Sequence, residues 1–186
     1  MVEAGPSDLE IVPTLYVEPE LPVDVLEPGD PVELWRAPQG GHVVRFGVRV
    51  KGLESSFIEE RVRVRVPDTG LIIAEETRTA AMEVVPEDPT LKQNDRRSVS
   101  QVVHVALCPD YDARDIVNME HLVQIEVTEL YADFSRGSAE VRVVPKCLQT
   151  DPAELAECQC ECTANYVLGK CRPDAGSPHA DGGDGG

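Results

Sequence analysis

The sequence predicts an all-β protein: an antiparallel β-sandwich of seven to nine strands, followed by a small disulfide-rich hairpin and a disordered tail. Three observations carry that expectation. Valine-rich runs alternate with polar residues at a period of two, most plainly in Arg61–Val66 (RVRVRV). Clusters of Pro, Gly and Asp break these runs at short intervals. Five of the six cysteines lie between Cys147 and Cys171, beyond the alternating region. A period of two puts successive side chains on opposite faces of a strand, one for a core and one for water. Many short strands of this kind build sandwiches or barrels.

Taken in order, residues 1–20 read as an acidic N-terminal segment or linker and residues 21–146 as the sandwich. Short strands are expected at Val23–Leu26 and Val32–Trp35. His42–Lys51 places Val44, Phe46 and Val48 on one face, and Arg61–Val66 does the same with Val62, Val64 and Val66. Gly70–Thr77, Thr79–Val85 and Ser98–Leu107 follow as further strands, with Pro86–Asp95 as a turn region. Leu122–Leu130 turns Val123, Ile125 and Val127 inward, and Ser138–Val144 does so with Val141 and Val143. All of these inward residues are expected to be buried. Ala113–His121 is the one stretch that reads as a short helix. The turns carry residues suited to reversal, including Pro28-Gly29-Asp30, Pro67-Asp68-Thr69-Gly70 and Ser135-Arg136-Gly137. Arg61, Arg63 and Arg65 opposite Glu126 and Glu129 suggest ion pairs on the solvent face.

Pro28-Gly29-Asp30-Pro31-Val32-Glu33-Leu34 resembles the turn-into-strand of bacterial immunoglobulin-like and fibronectin-III-like sandwiches. The run Gly137–Pro145 (GSAEVRVVP) is similar to their last strand. The resemblance covers roughly residues 21–146 and implies a sandwich of that kind. No Tyr stands ahead of Leu122–Leu130 and no Cys–Trp–Cys pattern is present, so it is generic and not an antibody-type domain. Trp35 reads as a core or rim anchor.

Composition narrows the class of partner. The 26 valines outweigh the few rings, aromatics being 4% of the chain, so the core is aliphatic. The formal net charge is −17, from 34 acids and 17 bases, which disfavours nucleic acid and anionic membranes. Residues 1–40 hold nine acids and one base, so the excess lies partly in the flanks, as solvated chain. Thirteen Arg against four Lys fits a GC-rich, bacterial coding bias. No run approaches the roughly 20 apolar residues of a membrane span, so no membrane insertion by this chain is expected.

The cysteines are Cys108, Cys147, Cys158, Cys160, Cys162 and Cys171. Cys160-Glu161-Cys162, then Tyr166 and Cys171, resembles the second half of an EGF-like module, and residues 147–172 are expected to form such a hairpin. That resemblance implies a Cys162–Cys171 bridge. The pairing of Cys108, Cys147, Cys158 and Cys160 stays open, with three possibilities. On an extended strand Cys158, Cys160 and Cys162 would share one side and could not pair with each other, so their partners would be Cys171, Cys147 and Cys108. All six are then oxidised, and Cys108 is drawn into the cysteine-rich segment. The competing reading is a thiolate metal site, although C-x-C-x-C lacks the C-x2-C knuckles of structural zinc and no His stands among these residues.

Disulfides imply an oxidising compartment: secreted, periplasmic or cell-surface. Met1-Val2-Glu3-Ala4-Gly5-Pro6 does not read as a signal peptide, so the export signal is expected outside this sequence. Residues 173–186, rich in Asp, Gly and Pro, read as a disordered and dispensable linker resembling those before surface anchors.

No catalytic motif is present: neither G-x-S-x-G, H-E-x-x-H, Walker A nor G-x-G-x-x-G. The four histidines, His42, His104, His121 and His179, lie scattered through the chain. No enzyme activity and no cofactor are therefore expected. Asp110, Asp112 and Asp115 on one loop could chelate Ca²⁺ weakly, without the Gly and closing Glu of an EF-hand. Two readings of function remain. One is an extracytoplasmic, non-catalytic interaction or structural module binding a protein or a surface polymer. The other is a carbohydrate-binding accessory module using Trp35 or Tyr131.

Overall fold

The computed structural model describes residues 9–16, 23–132 and 134–171. Eleven strands form one continuous mixed sheet. They are β1 (Glu10–Leu15), β2 (Asp24–Val25), β3 (Asp30–Glu33), β4 (Trp35–Arg36), β5 (His42–Lys51), β6 (Phe57–Arg65), β7 (Ile72–Val85), β8 (Asp88–Asn94), β9 (Val103–Cys108), β10 (His121–Glu129) and β11 (Arg136–Lys146). Among the described residues one α-helix, α1 (Pro152–Glu161), follows.

The path through the sheet is β2-β1-β5-β8-β7-β6-β10-β11-β3, with β4 and β9 also pairing β5. Strand β7 joins two wings: residues up to Ala81 pair with β6, and those from Met82 onward pair with β8. The two wings share one core. Val44, Phe46, Val48 and Val50 of β5 belong to the same buried cluster as Val62 and Val64 of β6, Val123, Ile125 and Val127 of β10, and Val141 and Val143 of β11. At Gly137 of β11, an added Cβ would sit 2.7 Å from the Leu9 carbonyl oxygen just ahead of β1, which is why a side chain is excluded there.

The alternation therefore located the main strands and their inward faces, with corrections. The expected all-antiparallel sheet is mixed, because β11 runs parallel to β3. Eleven strands replace seven to nine. Val66 is only half-buried, since it lies past the end of β6 where the chain turns. Residues expected as an N-terminal linker contribute β1, whose six residues pair along Phe46–Lys51 of β5. Gly70–Thr77 and Thr79–Val85 are one strand. The expected turn Pro86–Asp95 holds β8, masked by Pro89 and its polar residues. Ser98–Leu107 starts with a short 3-10 turn, and Ala113–His121 is not helical.

On the solvent face of β6, Arg63 donates to Glu75 and, at 2.7 Å, to Glu126, while Arg65 donates to Gln124. Glu129, expected beside Glu126 on that face, is buried instead. It shares the parity of Val123, Ile125 and Val127, and parity decides the face. Glu60 follows the same rule on β6, inward between Ile58 and Val62. Asn94 Nδ2 donates to its Oε2 at 3.0 Å, and burial pushes its pKa up to about 8.

Candidate functional site: an aromatic tip and a disulfide-clamped helix

Strands β10 and β11 meet in a turn that carries Tyr131 and Phe134. Both have positive φ, 62° and 56°, a region that bulky side chains seldom occupy. Tyr131 is 82% exposed, Phe134 62% and Phe57, opening β6, 45%. The Phe57 and Tyr131 rings meet edge to face, centroids 6.0 Å apart. Backbone bonds hold the turn: Leu130 N donates to the Phe57 carbonyl at 3.0 Å, and Glu129 N to that of Ser135 at 2.8 Å.

A buried carboxylate braces this tip from below. Glu129 accepts from the backbone N–H of Glu54 at 2.7 Å and of Ser55, and Lys92 Nζ donates to the carbonyls of both at 2.8 Å. The loop entering Phe57 is thus tied to β10 and β8. Glu129→Ala should lower stability by about 2 kcal/mol in urea denaturation, because it leaves two N–H groups without their acceptor. An unchanged midpoint would show that water replaces the carboxylate.

The cysteine-rich segment holds the helix α1, which corrects the EGF-like hairpin. Asp151 caps it by accepting from Ala153 N and Glu154 N, and Pro152 occupies the first turn. Glu154-Leu155-Ala156-Glu157 then favours helix over strand. The Cys162–Cys171 bridge is corrected with it. The disulfides are Cys108–Cys162, Cys147–Cys158 and Cys160–Cys171, and no described cysteine is free. Cys158 and Cys162, four apart, face the sheet together, whereas Cys160 points away from them and meets Cys171. Further contacts seat the helix: Arg36 to Glu157 at 3.2 Å, and His42 Nδ1 to Glu161 Oε2 at 3.1 Å. Burial pushes the His42 imidazole below its ordinary value, against the pull of Glu161.

The remaining candidates are taken up by the fold. His104 Nε2 lies 2.8 Å from the Val99 carbonyl, and His121 is buried near that of Ile116. His179 and residues 173–186 lie outside the described residues. Asp110 and Asp112 are each bound by Arg114, at 3.0 and 2.9 Å, and Asp115 accepts from Ala164 N, so the three carboxylates do not converge on a cation. The Arg45 guanidinium lies 4.4 Å from the centre of the Trp35 ring and 5.9 Å from that of Tyr16, covering a face of each. Of the two aromatics singled out in the sequence, Tyr131 is 82% exposed and Trp35 36%.

The chain matches no protein-family model and no curated protein at significant similarity. Phe57 and Phe134 were not found by motif. Their signal is positional: apolar rings at strand ends, where alternation assigns no core role. Glu60 and Glu129 were legible by parity alone.

No helix among the described residues is long and apolar enough to cross a membrane. Three disulfides fit an oxidising, extracellular type of environment.

Proposed function

We propose that this chain is an extracytoplasmic, non-catalytic interaction module of a bacterial envelope or secreted protein. Its sheet is read as an immunoglobulin-like or fibronectin-III-like sandwich, and its contact site is the aromatic tip of Phe57, Tyr131 and Phe134. One observation carries the reading: exposed rings stand on a turn with two residues at positive φ, braced from within by Glu129. Exposed aromatics cost solubility, and rigid ones lose little entropy on binding, which is how interface anchors behave. The net charge of −17 favours a protein partner with a basic surface.

A photoreactive side chain placed at Tyr131 in the producing cell tests this. It should trap one discrete protein, while the same group at Arg142, on the flank of β11, should not; Phe57→Ala should abolish the adduct. Equal labelling from both positions would refute the tip as the site. The alternative reading is a carbohydrate-binding accessory module, for which Arg45 over one face of Trp35 leaves Tyr131 as the more exposed ring. Glycan binding abolished by Tyr131→Ala would put it in place of the protein partner.

A further inference from the structure

The two disulfides beneath α1 converge on a histidine. Cys158, Cys162 and His42 are all buried, and one ligand atom from each lies within 4.8 Å of the others. The remaining sulfurs of these bridges, from Cys147 and Cys108, are bonded to that pair. Five donor side chains therefore meet where β5, β9 and α1 join. Glu161 occupies His42 Nδ1, an arrangement that fixes the tautomer and leaves the second ring nitrogen to ligate.

We propose that the reduced chain binds one zinc-like divalent cation through Cys158, Cys162 and His42, with a third thiolate, from Cys108 or Cys147, as the fourth ligand. Three thiolates with an imidazole make a tetrahedral donor set suited to Zn²⁺. Cys158 and Cys162 lie four residues apart on one helix face, a spacing that lets two side chains share an ion. The C-x2-C knuckle is absent from the sequence because the fold supplies the third and fourth donors from distant strands. Ligands about 2.0–2.3 Å from zinc stand roughly 3.5–4 Å apart, so the three atoms need to close by about 1 Å once the S–S bonds are gone. In the oxidised chain the sulfurs are bonded to each other and the site does not exist. The same side chains thus fasten α1 to the sheet in two alternative ways.

The chemistry balances with a phosphine as reductant. Each disulfide gains two electrons and two protons, becoming two thiols, and the phosphine becomes its oxide with oxygen from water. The cation then displaces the thiol protons into solvent.

Titration of Co²⁺ into the full chain tests the site, since tetrahedral thiolate–cobalt absorbs visibly. Phosphine-reduced protein should bind one equivalent and oxidised protein none. His42→Ala, verified as folded in its oxidised form, should weaken binding at least tenfold after reduction. Cys160→Ser/Cys171→Ser, which removes the disulfide outside the cluster, should leave binding unchanged. Cobalt-dependent recovery of the far-ultraviolet β signal would support the site equally if the reduced chain unfolds. Absence of the cobalt spectrum, binding indifferent to His42→Ala, or loss of binding in the Cys160/Cys171 variant would each overturn it.

Discussion

Replacing Cys108 and Cys162 together by alanine should cost about 4 kcal/mol of stability, more than loss of either other bridge. The ranking comes from the chain each disulfide closes. Cys108 and Cys162 are 54 residues apart in sequence, whereas Cys147–Cys158 and Cys160–Cys171 each span 11. On the chain-entropy account, a loop of that greater length removes about 4 kcal/mol of freedom from the unfolded state, and the shorter loops about 3 kcal/mol each. The long bridge is also the one buried at both ends, Cys108 on β9 and Cys162 capping α1. Urea denaturation of the three double variants measures the order directly. Equal losses from all three would show that packing at α1 outweighs loop closure, and the long crosslink would lose its special place.

The same bridge shows what could be read in the chain and what could not. An even cysteine count, with one cysteine stranded in the strand region, was enough to draw Cys108 into the C-terminal segment. The partner within that segment depended on whether C-x-C-x-C is extended or helical. On a strand the three sulfurs share a side; on a helix Cys158 and Cys162 share a face and Cys160 leaves it. The deciding residues were Asp151 and Pro152, a helix start several positions before the first cysteine of the cluster.

Strands behaved in the same way. Where one face is buried and the other wet, as in β5, β6 and β10, alternation read the pairing faces residue by residue. Where a strand is short, polar or carries proline, as in β1 with Pro13 and β8 with Pro89, pairing comes from neighbours and local sequence hides it. Of the tip, Tyr131 stood out in the sequence but Phe57 and Phe134 did not, for a different reason. Exposure of Tyr131 and Phe134 is set by backbone conformation in a turn, which has no period to read.

Glu60→Gln should flatten the pH dependence of stability between pH 4.5 and 8. Glu60 is wholly buried on the inward face of β6, its Oε2 accepts from Asn94, and its Oε1 has no hydrogen-bond partner among the described residues. Desolvation, the largest influence, holds its pKa near 8 against the opposing pull of Asn94 and Arg78; the ordinary value is 4.5. The folded chain therefore keeps this proton while the unfolded chain releases it. A raised carboxyl pKa gives stability that is complete below about pH 4.5, declines as pH rises, and is gone once the folded group ionises near pH 8. A gap of that size corresponds to about 4–5 kcal/mol over the window. His42, His104 and His121 work in the opposite direction: burial lowers their pKa values, so the unfolded chain takes up protons as pH falls below their ordinary 6.5. The difference between wild type and Glu60→Gln cancels the histidines and isolates the carboxyl. Urea unfolding at pH steps from 4.5 to 8.5 should show the variant gaining on wild type steadily toward pH 8 and then running parallel. Curves parallel throughout would mean that Glu60 ionises in the folded chain at its ordinary pKa, with water reaching β6 from within.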